Sequence, residues 1–413
     1  MQFLAVFAAL AALFAIGQFH RSAGGVLGTT LAADFGLGAE AIGIAMGAMF
    51  LAQGVAQLPA GLLLDRFGPR LIIPLVTLLA AAGCIVLALA SDATTVLLGR
   101  ILIGIGFSAT LMGSVVLLGR WSGPGQHSTI TGRFLFIGMM GGLFATTPLV
   151  LLLAAVGWQA VFLGLTAVTV AVAALGWAVL RDWPPDRGAP PSPPPSGGLG
   201  LGGVWEVLRS RRFLPFLLVG SLLYCTPQVL LGLWAAPYLR EVHGLDAVWT
   251  GHALMTMAVA MGLGALVFGP IERRSRGGGG VVCAGALTVA AAFAGLALLG
   301  GDAPLVATAL CLVAILGSGY FVVTLAQAQA LFPPELSGRV VSLVGTLGVV
   351  GIFAVQALTA LVLARFPDAG GALARPEGYS AVFGLMAALQ AFVALVWFVG
   401  GRGGQPPRAG SAG

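Results

Sequence analysis

The sequence predicts an all-α membrane protein, with twelve transmembrane helices arranged as two pseudo-symmetric six-helix bundles. Three observations carry that prediction. Of 413 residues, 58% are hydrophobic and only 8% are charged, and the mean hydropathy is +1.01. So much apolar surface exceeds what a water-soluble core can hide. The apolar residues also run continuously, in stretches near the ~20 residues that cross a hydrocarbon layer, which excludes the alternating pattern of a porin-type barrel. Finally, the second half of the chain echoes the first. Asp65 and Glu272 lie 207 positions apart, as do Gly138 and Gly345, while Arg133 and Arg339 lie 206 apart. Parallel repeats with a substrate site between them are a transporter architecture.

Six spans, near residues 3–31, 41–64, 71–90, 94–118, 134–154 and 157–180, make an N-terminal bundle over 1–181. The first is not a removable signal, because it lacks a basic start and passes through Gln18-Phe19-His20-Arg21 rather than a cleavage site. Residues 182–212 read as a cytoplasmic Pro/Gly-rich linker, extended and mobile. It ends in a short interfacial helix, Val204 to Arg212, whose Trp205 and arginines suit lipid headgroups. Six further spans, near 213–239, 248–271, 280–300, 303–331, 340–364 and 378–400, make a C-terminal bundle over 213–401. Residues 402–413 read as a disordered cytoplasmic tail.

All 20 basic residues are arginine, and they set the orientation. With both termini cytoplasmic, the inner stretches hold Arg66, Arg70, Arg120, Arg133, Arg181, Arg187, Arg209, Arg211, Arg212, Arg273, Arg274, Arg276, Arg339, Arg402 and Arg408. The outer loops hold only Arg240, Arg365 and Arg375. The net charge of +6 therefore reports topology in an inner membrane rather than nucleic-acid binding. Cys84, Cys225, Cys283 and Cys311 sit apart within spans, so neither disulfides nor a zinc site is expected. No cofactor is implied, and no nucleophile set or phosphate loop suggests an enzyme.

The loop Gly61-Leu-Leu-Leu-Asp65-Arg66-Phe-Gly68-Pro-Arg70 resembles the signature loop of the major facilitator superfamily between spans two and three. Arg100-Ile-Leu-Ile-Gly104-Ile-Gly106 is similar to a second motif of that family, in span four. Pro334-Glu-Leu-Ser-Gly338-Arg339 is similar to the loop before span eleven. Length, linker and duplication fit as well, so the resemblance covers essentially the whole chain. It implies that Asp65 and its arginines form a conformational latch against the other half, with Arg120 or Arg133 completing it. Glu272 and Arg273 are the degraded copy of that loop. For Arg70 a solvated positive-inside turn is an equal alternative.

Substrate information should lie in polar residues inside spans, since a charge at mid-membrane costs roughly 2.5–3.5 kcal/mol on insertion scales. Arg21 is one such charge, flanked by Gln18 and His20. Its place in span one is similar to that of the anion-binding arginine in organic-anion and sugar-phosphate porters of the family. A guanidinium suits carboxylate and phosphate oxygens; capping helix carbonyls is the alternative. The repeat sets Gln228 of span seven opposite Arg21, with Tyr224 and Trp234 nearby. Phosphate antiporters pair two arginines there, so arginine plus glutamine favours a monoanion. For Trp234 packing is an equal alternative. Arg100 is the second intramembrane charge, and it serves either proton exchange, as the resemblance implies, or as a buried arginine bonded to carbonyls. Gly104 and Gly106 serve close packing.

All 14 acidic residues fall outside the span centres. This leaves nothing obvious to hold a cationic drug, and it leaves His20 as a candidate for proton coupling. His252, Met257 and Met261 in span eight offer soft ligands for Cu(I), although methionine is also common interface filler. The reading that emerges is a monomeric alternating-access carrier of a small, anionic organic solute in the lipid bilayer. A proton-linked drug or metabolite exporter, a Cu(I) importer and a non-transporting sensor on the same fold are the alternatives.

Overall fold

The computed structural model describes residues 2–122, 126–185, 206–210, 213–275, 278–299, 303–332, 337–368 and 372–400. Most of the proline-rich linker and the tail over 402–413 lie outside these residues. Ten helices among the described residues are long and apolar enough to cross a membrane. The fifth and seventh spans complete the twelve in broken form. Span five is Thr129–Phe144 continued into the start of Thr147–Val179, and Gly157 divides that long run. Its φ of 76° and ψ of 164° are open to glycine and strained for other residues, so the chain leaves span five and enters span six there. Span seven consists of Leu214–Leu223, Cys225–Val229, a π-helical turn Leu230–Trp234, and Ala235–Glu241.

Local chemistry explains the boundaries. Spans two and three, Ala39–Phe67 and Pro69–Ala88, are joined by a single residue, Gly68, at φ 80°. Pro69 then starts span three where its missing N–H is not needed. Asp92 caps span four by accepting from the Thr95 N–H at 2.8 Å, with the Thr95 side chain returning to the cap. Span one is interrupted between Gln2–Ser22 and Gly24–Phe35, and span four between Ala93–Gly106 and Thr110–Trp121. Composition foretold the spans but not these internal breaks, which free backbone groups at mid-membrane depth.

Two apolar clusters show how the halves sit. One, with Leu10, Leu13, Ile73, Leu117 and Phe134, is confined to the N-terminal half near the end that carries the chain termini. The other runs without interruption from Leu27 and Met49 to Leu230, Trp234 and Ile352, joining both halves toward the opposite end. There, Gly24 and Gly25 of span one meet the backbone of Gly232 and Leu233, and Gly43 and Gly47 of span two meet Ala360 and Gln356 of span eleven. Thr147 of span five bonds His252 of span eight at 3.3 Å. Leu298, Leu305 and Leu89, each at least 72% exposed, face outward as lipid-facing residues do.

Candidate functional site

The break in span one decides what its polar residues reach. Arg21 lies one residue before the end of Gln2–Ser22 and lines a narrow cavity with Gln18, Gln53 of span two and Thr110 of span four. Phe14 and Phe107 supply apolar walls, and no carboxylate lines this cavity. The Arg21 guanidinium stands over the Phe50 ring, 5.9 Å from its centroid. Among the described residues it makes no hydrogen bond or ion pair. Two neighbouring polar atoms, Gln53 Oε1 and Thr110 Oγ1, are buried without a partner. A free cation, two orphaned polar atoms and an aromatic face therefore converge between spans one, two and four.

The second half closes against this site from span seven. Gly232 is bordered by the Arg21 carbonyl and by Gln228 Oε1, so the Arg21 backbone and the Gln228 side chain both pack against this glycine, while Gln228 does not line the cavity. The Gln228 carbonyl accepts from Gln356 Nε2 at 2.9 Å, which ties span seven to span eleven. Tyr224 packs edge-on against Phe321 at 5.0 Å and is partly exposed. Trp234 stands apart: it is 1% exposed and donates to Thr359 Oγ1 at 2.8 Å, as a packing residue would.

His20 also points elsewhere. It is fully buried, with Nε2 3.6 Å from Cys84 Sγ and its ring between Phe19 and Phe107. Consecutive helical residues diverge by about 100°, which sends Arg21 to the cavity and His20 into the bundle. Arg100 is equally buried, and donates to the His20 carbonyl and the Met46 carbonyl, both at 3.2 Å. Its motif glycines make that reach possible: Gly104 lies against the Met49 backbone and Gly106 against the Ala80 backbone. The two intramembrane arginines thus differ sharply, one free in a cavity and one bonded to carbonyls.

At the end bearing the termini, the signature loop is held within its own half. The Arg70 N–H donates to Asp182 Oδ1 at 3.0 Å, Arg120 lies 3.9 Å from the same carboxylate and 4.9 Å from the Trp183 ring, and Trp121 donates to the Arg181 carbonyl. Gly61 approaches Met112, and Gly68 abuts Asp182. Asp65, Arg66 and Arg133 are exposed, and among the described residues none bonds the second half. Glu272 lies at the end of Ala247–Arg274, while the Arg273 side chain lies outside the described residues. In span eight His252 is exposed and Met257 fully buried, so the helix sends them to different faces, with Met261 half-buried.

Asp182, Gln53, Thr110 and Phe50 were not singled out from the sequence. A lone glutamine or threonine in an apolar run is a weak signal, and Phe50 carries none.

Comparison with known proteins settles the family. The model described as Major Facilitator Superfamily matches residues 3–356. The chain belongs to the major facilitator superfamily. It is therefore a multi-pass membrane protein of a transporter family, not an enzyme. Relatives by sequence include the nitrate/nitrite transporter NrtP of Picosynechococcus sp., 33% identical over 30% of this chain and 23% of that protein. A quinolone resistance transporter of Acinetobacter baumannii is 28% identical over 30% of this chain and 29% of that protein. A probable L-galactonate transporter of Escherichia coli is 45% identical over 14% of this chain and 13% of that protein. The chain thus spans less than a third of the length of each of these relatives. By structure, a bacterial homolog to the human lysosomal transporter Spinster, inward-facing and unoccupied, shares 18% identity and a TM-score of 0.79 over 96% of both chains. A D-xylose-proton symporter shares 15% identity and a TM-score of 0.72, over 96% of this chain and 98% of its own. At these identities the likeness shows the major facilitator fold.

Proposed function

We propose that this major facilitator carries a small monovalent anion by alternating access, holding it at Arg21. The observation that carries the reading is the free guanidinium. A half-buried cation at membrane depth without a counter-ion is costly, and among the described residues no carboxylate lines the cavity, so an anionic solute is the group that would neutralise it. Gln18, Gln53 and Thr110 add neutral hydrogen-bonding groups. A single cation matches a single negative charge. Nitrate, nitrite and L-galactonate, named in the relatives above, are all monovalent anions. The quinolone resistance relative supports an exporter reading instead, but no acidic group lines the cavity to receive a cation.

The halves pack at the end away from the termini and the signature loop stays within its own half. With both termini in the cytoplasm of a bacterial inner membrane, that arrangement is an inward-facing state of a monomer. The latch of Asp65, Arg66 and Arg70 would engage the second half when this face closes. Proton coupling through His20 loses support from its burial beside Cys84. Cu(I) transport loses support from the separation of His252 and Met257.

The test is titration of the purified protein with nitrate, nitrite, formate, acetate and L-galactonate, followed by counterflow of the tightest binder in proteoliposomes. Arg21→Gln should weaken that binder by roughly 10- to 150-fold, the loss of one charge-assisted hydrogen-bonding group worth about 1.5–3 kcal/mol. Unchanged affinity in the variant, or counterflow of organic cations alone, would overturn the anion assignment. Binding without counterflow would favour the sensor.

A further inference from the structure

The anion reading uses Arg21 and leaves Arg100 unexplained, although a fully buried arginine without an acidic partner is expensive. Its two hydrogen bonds show what it does. The first helical segment of span one ends at Ser22, so the last carbonyls of that segment lose their intrahelical partners. The Phe19 carbonyl keeps its i+4 bond, from the Ala23 N–H at 2.9 Å. The next, His20, accepts from Arg100 Nη1 at 3.2 Å. A cation at the negative end of a helical segment is favourable as well as hydrogen-bonded. The second bond, from Nη2, goes to Met46 on span two, one turn before Phe50.

Each bond lands beside one member of the Arg21–Phe50 pair at the edge of the cavity. His20 is the residue before Arg21, and Met46 is four residues before the ring beneath the Arg21 guanidinium, 5.9 Å away. We propose that Arg100 is a positioning residue for the anion site, its planar fork clamping the broken end of span one to span two so that Arg21 and Phe50 stay in register. Lysine at the same place would reach one carbonyl and leave the other free. The glycines belong to the same device, since Gly104 brings span four against the Met49 backbone, within reach of Met46.

This inference rests on the anion reading, and the experiment separates the two. Wild type, Arg21→Gln, Arg100→Lys, Gly104→Ala and the Arg21→Gln/Arg100→Lys double variant are titrated with nitrate and L-galactonate and assayed for counterflow. Arg100→Lys should raise KM about tenfold, which is about 1.4 kcal/mol, while the saturated rate stays within about twofold. The double variant should bind no more weakly than Arg21→Gln alone, because a positioning residue has nothing left to position. A merely structural role would instead lower the amount of folded protein and the rate at saturation with KM unmoved, and that result overturns the proposal. Additive losses in the double variant overturn it too. Should Arg100→Lys fail to fold, Gly104→Ala decides: it keeps the guanidinium and forces span four off Met49, so wild-type KM there refutes the clamp. Wild-type affinity in Arg21→Gln would sink the anion reading itself, whatever Arg100 does.

Discussion

Replacing Gly43 by valine tests whether the packed end of the bundles is a gate. Gly43 of span two faces Ala360 of span eleven so closely that even a single added methyl would overlap the alanine side chain. One turn further on, Gly47 has the Phe353 ring 3.0 Å and Gln356 Oε1 3.2 Å from where its own Cβ would stand. Valine puts three carbons where not one fits. Overpacking of this kind costs about 1–3 kcal/mol. The cost applies only while spans two and eleven are in contact, and vanishes once this end opens. The ratio of packed to open molecules should therefore fall by roughly 5- to 150-fold. Nitroxide labels at Ser91→Cys and Leu305→Cys, in a background lacking the native cysteines, report the separation of the two bundles at this end by pulsed electron resonance. Gly43→Val should move the distance distribution outward, with Gly43→Ala in between. A distribution identical to that of the parent, in protein that melts normally, would show that this seam does not part during transport.

Two further outcomes follow from the same geometry. Asp65→Asn should push the label distances the opposite way, because this packed state gains nothing from the exposed Asp65 whereas the latched state would lose about 0.2–1 kcal/mol; unchanged populations would leave the loop without a latch. Asp92→Ala should lower the melting temperature near neutral pH, and the gap should close in acid. The Thr95 N–H at 2.8 Å holds the Asp92 carboxyl below the usual aspartate value. A depressed carboxylate contributes stability above its unfolded pKa and loses it as pH falls through the native one. A pH-independent difference would mean that the cap acts without its charge.

How far the sequence was legible depends on which face of a helix a residue takes. Spans are legible because twenty apolar residues in a row have few other fates. The cost of a charge at depth is legible too, which marks Arg21 and Arg100 equally. What separates them is contact: Arg100 meets carbonyls exposed by a break in span one, and Arg21 meets a cavity. That break falls just before the pair Gly24-Gly25, but glycines are frequent in these spans, so the sequence does not say which pair interrupts a helix or which carbonyls it frees. His20 and Arg21 are neighbours in sequence yet lie on different faces, so pairing them as co-ligands overlooked the helical period. Asp182 stayed hidden for another reason. It sits where the linker begins, outside both repeats, so the symmetry that points from Arg21 to Gln228 has nothing to say about it. Duplication is a poor guide where one copy has lost its residues. Gly61 to Arg70 keeps its full charge pattern and an Asp182 anchor, whereas Gly269 to Arg274 keeps one acid and two arginines. If the loop acts as the latch proposed above, this asymmetry puts its control in the N-terminal half.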